Sequence, residues 1–147
     1  MRKLFAVVTC FSLCTVFALA QGGAGKGGAK IEGTWTVTGL TFGEKKLPAE
    51  ILEKIMPKFT FKEGKYTTSV MGKQDEAGSY KLNAKMKPAH IDLIIEEGKD
   101  KGKTQLGLFA FDGDVLKLAL AKPGETDRPK NFEPGENVII STLKKSK

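Results

Sequence analysis

The chain has 147 residues, with 24 basic and 17 acidic side chains and a formal net charge of +7 at pH 7. Its basic and acidic residues are interspersed and form no block of five or six like charges, which argues against a clustered nucleic-acid-binding face. This length and composition indicate one folded domain with a single hydrophobic core.

The first 20 residues have the pattern of a secretory signal peptide. Two basic residues follow Met1, an apolar run extends from Leu4 to Ala20, and the run ends in an Ala-Leu-Ala cleavage site. We therefore predict export to the periplasm or the extracellular space with cleavage after Ala20, and a retained N-terminal anchor is the alternative. Cys10 and Cys14 both lie in this segment, and neither follows the small residue that lipid attachment requires. The processed chain is therefore predicted to contain no disulfide.

Residues 21–30 (QGGAGKGGAK) are rich in glycine and lack large apolar side chains, so we predict a flexible linker. The remaining residues, 31–147, are predicted to form the folded domain. Cleavage would remove two basic side chains and no acidic one, leaving 22 basic and 17 acidic side chains, a net charge of +5. We expect a monomer that is not stably inserted in a membrane.

From residue 31 onward, short runs of alternating apolar and polar residues are separated by turn residues, which is typical of antiparallel strands. Residues 48–56 instead have apolar side chains at helical spacing between two prolines, which predicts a short helix. We predict an all-β fold, an eight-stranded antiparallel up-and-down (lipocalin-like) barrel with this helix between strands 1 and 2. The predicted strands are 31–40, 58–62, 65–71, 79–83, 90–97, 105–111, 115–122 and 137–144, with a polar loop over 72–78.

The stretch GKDKGKT, residues 98–104, ends like a phosphate-binding loop. It has one residue too few between its glycines, and the residues after it have the pattern of a strand rather than a helix. We therefore predict a solvated hairpin loop here, and a second, tight Asp-Gly turn at residues 112–114.

The sequence contains no complete set of catalytic or metal-binding residues. His90 is the only histidine, and a processed chain without cysteine is not expected to bind zinc. Asp92 would share the strand face of His90, but no serine lies in a nucleophile motif. Glu96 and Glu97 are adjacent, so on a strand they point to opposite faces and cannot act as paired carboxylates. We predict a non-enzymatic protein without metal or cofactor, in which His90 is an ordinary edge-strand residue.

Three stretches together resemble a known family: EGTWTVTGLTFGEKKLP, KPAHIDLIIEEGKDKGKTQLGLFAFDGDVLKLALA and DRPKNF. The chain is similar, from about Ile31 to Lys144, to a small secreted domain of unknown function that occurs in many paralogous copies in planctomycete bacteria. The resemblance implies export and a lipocalin-like fold. Phe109 stands where tyrosine is usual in that family, and Ala119 where cysteine is common. The residues that carry the resemblance are Gly33, Trp35, Pro48, Pro88, Ile91, Asp92, Gly102, Gly113, Asp114, Leu116, Leu118, Arg128, Pro129 and Phe132.

The start Gly33-x-Trp35 also resembles the first strand of lipocalins, in which a tryptophan packs across the barrel floor near a late arginine. Arg128 is the only arginine after the predicted signal peptide and precedes the last predicted strand. The resemblance implies that Arg128 stacks on Trp35, a cation–π contact of roughly 0.5–2 kcal/mol. The alternative is that Arg128 caps a surface turn.

Inward-facing side chains of such a barrel either line a ligand cavity or fill the core. We predict the first of two functions, and the second is the alternative. In the first, the barrel encloses a small apolar or amphipathic ligand. In the second, a filled barrel binds a protein or an envelope polymer through the loops GKDKGK (98–103) and KPGETDRPKNFEPGE (122–136). The cavity candidates are Trp35, Phe59, Phe61, Tyr66, Tyr80, Leu93, Phe109, Phe111, Leu116 and Leu118.

Overall fold

The structure, a computed structural model, describes residues 30–147. The predicted signal peptide and residues 21–29 of the predicted linker lie outside this range. No helix among residues 30–147 is both long enough and apolar enough to cross a membrane. The strands are β1 (Gly33–Phe42), β2 (Lys45–Lys46), β3 (Lys58–Lys62), β4 (Lys65–Val70), β5 (Lys73–Asn83), β6 (Ala89–Glu97), β7 (Thr104–Asp112), β8 (Val115–Ala121) and β9 (Val138–Lys145), and a helix, α1 (Ala49–Ile55), lies between β2 and β3.

Eight of these strands form a closed antiparallel barrel. The order is β1-β3-β4-β5-β6-β7-β8-β9, and β9 returns to pair with β1. This topology confirms the predicted up-and-down barrel with a short helix between its first two strands. The additional short strand, β2, extends the sheet beyond the end of β1, where Lys45 lies opposite Phe42. Each of the eight barrel strands has a neighbour on both sides, so the barrel itself has no open edge.

The barrel has two ends that differ in what covers them. At the first, the Trp35 end, β1 begins and β9 finishes, and Ile31 is fully buried there just before β1. At the second, the helix end, Leu52 of α1 is 5% exposed and joins the hydrophobic core. Backbone hydrogen bonds from Val37 N to Pro57 O (2.9 Å) and from Met71 N to Ile55 O tie the end of the helix to the barrel.

One part of the strand prediction is wrong. Most of the segment 72–78, expected to be a polar loop, belongs to β5, which begins at Lys73. Met71 and Gly72 have positive φ angles of 53° and 77°, so the chain reverses within two residues and pairs with β4 again at once. The sequence of this segment is polar for two reasons. Several of its side chains face solvent, and Glu76 accepts a hydrogen bond from Tyr66 inside the barrel.

Aromatic rings fill much of the barrel interior. Phe61 is fully buried and its ring centroid lies 5.2 Å from that of Tyr80 in an edge-to-face arrangement. It also stacks on Phe59 at 5.8 Å. Across the barrel, Trp35 and Phe111 have their centroids 6.2 Å apart. Burying each such ring contributes about 1.5–3 kcal/mol, so this cluster is a principal source of the stability of the barrel.

Gly78 in the middle of β5 is required by close packing. It lies opposite Tyr66 of β4, and a Cβ atom at this position would be 3.0 Å from Tyr66 Cε1 and would overlap the carbonyl oxygen of Ile94. The absence of a side chain at Gly78 therefore allows both the Tyr66 ring and strand β6 to pack closely against β5.

We predict that Gly78→Ala lowers the free energy of unfolding by about 1–3 kcal/mol, because the added methyl group overpacks the site. Urea unfolding would measure the change. Gly135→Ala is the control, since a Cβ there would lie 3.4 Å from Val138 Cγ2, an ordinary contact, and its effect should stay within about 0.5 kcal/mol. Equal effects of the two substitutions would contradict the prediction.

Candidate functional site

Trp35 is fixed at its end of the barrel by two contacts. Its indole Nε1 donates a hydrogen bond to Ile31 O at 2.7 Å. Lys145 lies opposite it in the β1–β9 register, and the lysine Nζ is 5.6 Å from the centroid of the tryptophan ring. Gly33 leaves room for this arrangement, because a Cβ there would be 2.9 Å from Lys145 Cε. The tryptophan is thus covered by a cation from the last strand.

The predicted stacking of Arg128 on Trp35 is therefore wrong, and the cation over the indole is Lys145. The register between β1 and β9 places the lysine there. Arg128 instead donates from Nη1 to Ile91 O at 3.2 Å and to Gly107 O at 2.7 Å, on β6 and β7. The alternative, that it caps a surface turn, is also wrong, because its partners belong to the barrel wall.

Arg128 fastens the long connection between β8 and β9, residues 122–137, to the outside of the barrel. Its Nη2 lies 2.6 Å from Oδ1 of Asp92, a close ion pair with both side chains partly shielded from solvent. Leu108 and Ala119 pair with each other on β7 and β8. They alternate with inward-facing residues yet are 1% and 0% exposed. We infer that the connection covers this outer face.

The connection also contacts the hairpin between β6 and β7. That hairpin, residues 98–103, has the predicted loop structure, with Gly102 N donating to Ile95 O at 2.9 Å. Gly124 N donates to Thr104 O at 3.1 Å, and a Cβ on Gly124 would be 3.4 Å from Lys103 Cδ. Residues 98–103 and 122–136 therefore adjoin at the helix end, from which the connection continues along the outer wall of the barrel. Together these two loops are here called the loop surface.

The ten cavity candidates divide into two groups. Phe59, Tyr80 and Phe111 are half-buried. The others are at most 4% exposed, so almost none of their surface faces any space that water could enter. This packing favours a core role for them over contact with an enclosed ligand. They are Trp35, Phe61, Tyr66, Leu93, Phe109, Leu116 and Leu118.

A polar pair inside the barrel is absent from the sequence-based predictions. The phenol of Tyr66 donates to Glu76 Oε1 at 2.7 Å. Desolvation raises the pKa of the Glu76 carboxyl, and the hydrogen bond from Tyr66 opposes that shift. Desolvation also raises the pKa of Tyr66, reinforced by the neighbouring carboxylate. The pair would have been visible in the sequence only if residues 72–78 had been recognised as a strand.

The residues considered for catalysis are not assembled into an active site. The aspartate two positions after His90 is paired with the arginine of the long connection. His90 itself lies within β6, which has a neighbour on both sides and so is not an edge strand. Glu96 accepts from Lys65, and Glu97 accepts from Gln74. Within residues 30–147, no group of three or more His, Cys, Asp and Glu side chains is placed to hold a metal ion.

The fold places the chain among closed eight-stranded antiparallel barrels of lipocalin-like topology. No family model, curated protein or solved structure matches it. Its function therefore has to be inferred from the packing of the barrel and from its surface.

We predict that Arg128→Ala lowers the free energy of unfolding by about 1.5–3 kcal/mol, because charge-assisted hydrogen bonds to two strands are lost. Thermal or urea unfolding would measure this, and hydrogen exchange should show faster exchange in residues 122–137. Lys130→Ala, an exposed position in the same connection, is the matched control. An unchanged free energy of unfolding for Arg128→Ala would contradict the role of Arg128 in holding the connection to the barrel.

We predict that Glu76→Gln stabilises the protein at neutral pH. The folded pKa is raised above the ordinary value of 4.5, so between these two values the folded state binds more protons than the unfolded state. In that window the protein becomes less stable as the pH rises. Above the folded pKa the carboxylate is charged, and the full cost of burying that charge lowers the stability. Glutamine removes the penalty and still accepts from Tyr66.

The measurement is urea unfolding of both forms from neutral pH down to the ordinary glutamate pKa. The advantage of Glu76→Gln should shrink as the pH falls through this range. Glu133→Gln, in the exposed connection, controls for the loss of one negative charge. A Glu76→Gln variant that is less stable than wild type at neutral pH would show that the carboxylate is stabilising.

Proposed function

We propose that the protein is an exported, non-enzymatic binding module that recognises a protein partner through the loop surface. The observation that carries this proposal is the union of the two loops through the hydrogen bond from Gly124 N to Thr104 O, next to the Lys103 side chain. Arg128 holds the longer loop against the barrel wall. A surface ordered in advance loses less conformational entropy when a partner binds.

The packing of the interior supports an outer binding surface over an enclosed ligand. Phe61 and Leu93 are each 0% exposed, and Trp35 is 3% exposed. A ligand placed between them would have to separate groups whose burial contributes about 1.5–3 kcal/mol each. The bound ligand would have to compensate for that loss before gaining any affinity.

The charge of the loop surface supports a protein partner over a uniformly charged polymer. Residues 98–103 carry three basic side chains and one acidic side chain, and residues 122–136 carry three basic and four acidic ones. The loop surface therefore has six basic and five acidic side chains in total. Mixed charges of this kind favour a partner with a complementary mixed pattern, because each misplaced like charge weakens the complex.

The signal-like first 20 residues support export. The candidate carboxylates Glu96 and Asp92 are paired with two different cations, Lys65 and Arg128, which supports a non-enzymatic role. The resemblance of the sequence to a secreted planctomycete domain would also imply export. The partner is therefore expected among the envelope or secreted proteins of the host.

The test compares partner retention by two charge-reversal variants of the chain. Lys99→Glu with Lys101→Glu changes two exposed residues of the loop surface, whereas Lys85→Glu with Lys87→Glu changes two exposed residues in the β5–β6 turn at the opposite end. The chains are incubated with the host's envelope and secreted fractions. The loop variant should lose at least about tenfold in partner retention, equivalent to 1.4 kcal/mol, while the turn variant should bind as wild type.

Native mass spectrometry of protein purified from its host completes the test. A bare protein mass agrees with the proposal. A co-purifying small molecule that contacts the interior residues Phe61 and Leu93 in the complex would overturn it in favour of the enclosed-ligand function. Equal retention by the two variants would also overturn it.

A further inference from the structure

A cleft lies at the Trp35 end of the barrel and so opposite the junction of the two loops. It is a cleft of about 780 Å³ that is open to solvent. A volume of this size falls within the range of about 300–1,000 Å³ that small-molecule sites occupy. Two aromatic rings, three lysines and one aspartate are among the residues that line it: Trp35, Phe111, Lys30, Lys144, Lys145 and Asp114.

Two of the lysines are positioned directly over the aromatic rings. Lys145 Nζ lies 5.6 Å from the centroid of Trp35, and Lys30 Nζ lies 5.8 Å from that of Phe111. The ammonium groups are attracted to the ring faces, which places positive charge next to apolar surface before any ligand is present. Both lysines are exposed, so their remaining hydrogen-bond donors are open to solvent.

The charges in this cleft are unequal. Lys30, Lys144 and Lys145 carry three positive charges and Asp114 one negative charge, which leaves a net charge of +2 among the lining residues. Lysine ammonium groups beside an apolar floor attract a negatively charged ligand and repel a cation. A neutral ligand would use the rings but would leave the lysines without an anionic partner.

We propose that this cleft binds a small amphipathic anion. Its flat or linear apolar part lies against the half-buried ring of Phe111, beside the largely covered Trp35, and its carboxylate or sulfonate group contacts Lys30, Lys144 and Lys145. Gly33 leaves space for the Lys145 side chain beside the indole, because a Cβ there would lie 2.9 Å from Lys145 Cε. This site is independent of the loop surface and uses none of its residues.

The experiment compares two fluorescent probes that differ in charge. Anilinonaphthalene sulfonate carries the anionic group, and phenylnaphthylamine has the same rings without it. Trp35 is the only tryptophan of the chain, so energy transfer from it shows that a probe is bound to the barrel, and the lysine variants below locate the site. We expect the sulfonate to bind at least about fivefold more tightly than the neutral probe, a margin that two exposed ion pairs supply. This preference should decrease as salt is added, because exposed charges are screened.

Matched lysine variants test the site. Lys30→Gln with Lys144→Gln removes two charges from the cleft and leaves Lys145 over the indole, so the folded barrel should be retained. Lys54→Gln with Lys73→Gln removes two exposed charges at the helix end. We expect the first variant to bind the sulfonate at least about fivefold more weakly and the second to bind it as wild type.

Three results would overturn the proposal. One is equal affinity for the two probes. Another is unchanged sulfonate binding by Lys30→Gln with Lys144→Gln, which is also what binding to the apolar N-terminal segment would give. The third is sulfonate binding without energy transfer from Trp35. A thermal melt of each variant confirms that the protein compared is folded.

Discussion

The pairing of β9 with β1 is the constraint on which the rest of the structure depends. It joins the two ends of the described chain, from Trp35 opposite Lys145 to Phe42 opposite Ile139. A further hydrogen bond of 2.7 Å links the hydroxyls of Thr36 and Ser146, which are 110 residues apart in sequence. Without this closure, β1 and β9 would each expose unpaired backbone groups, and the aromatic interior would be open to solvent.

Closure also determines where the protein is able to bind other molecules. An eight-stranded barrel has an interior just wide enough for its own side chains or one small ligand. Here large rings use that space, and the carboxylate of Glu76 is held by Tyr66. Concave and chemically varied surfaces therefore occur at the two ends and on the outer wall, where loops and strand termini meet.

Much of the fold is predictable from local sequence patterns. Alternation of period two located the strands, two prolines bounded the helix, and glycine-containing turns located the hairpins. The exception at residues 72–78 has a clear cause. The polar composition of this segment is typical of a loop. Composition alone does not show that the segment pairs with strands on both sides while its polar side chains face solvent.

The contacts of the candidate sites were far less predictable, because they depend on which residues lie opposite each other across strands. Nothing near Lys145 in the sequence indicates that it faces Trp35, and only the analogy with lipocalins predicts that Arg128 covers this tryptophan. Likewise, Asp92 was considered as a partner of His90 on its own strand, whereas its partner lies in a connection 36 residues away. Cross-strand register is a property of the closed barrel as a whole.

The position of Arg128 has a consequence for how this barrel could diversify. The connection between β8 and β9 has 16 residues, 122–137, and Arg128 divides it into segments of six and nine residues on either side of the anchor. A short tethered segment has fewer conformations to lose than a long free one. Exposed residues of one segment could therefore change without displacing the other segment, which would let the surface acquire a new specificity while the residues that cover the outer wall stay the same.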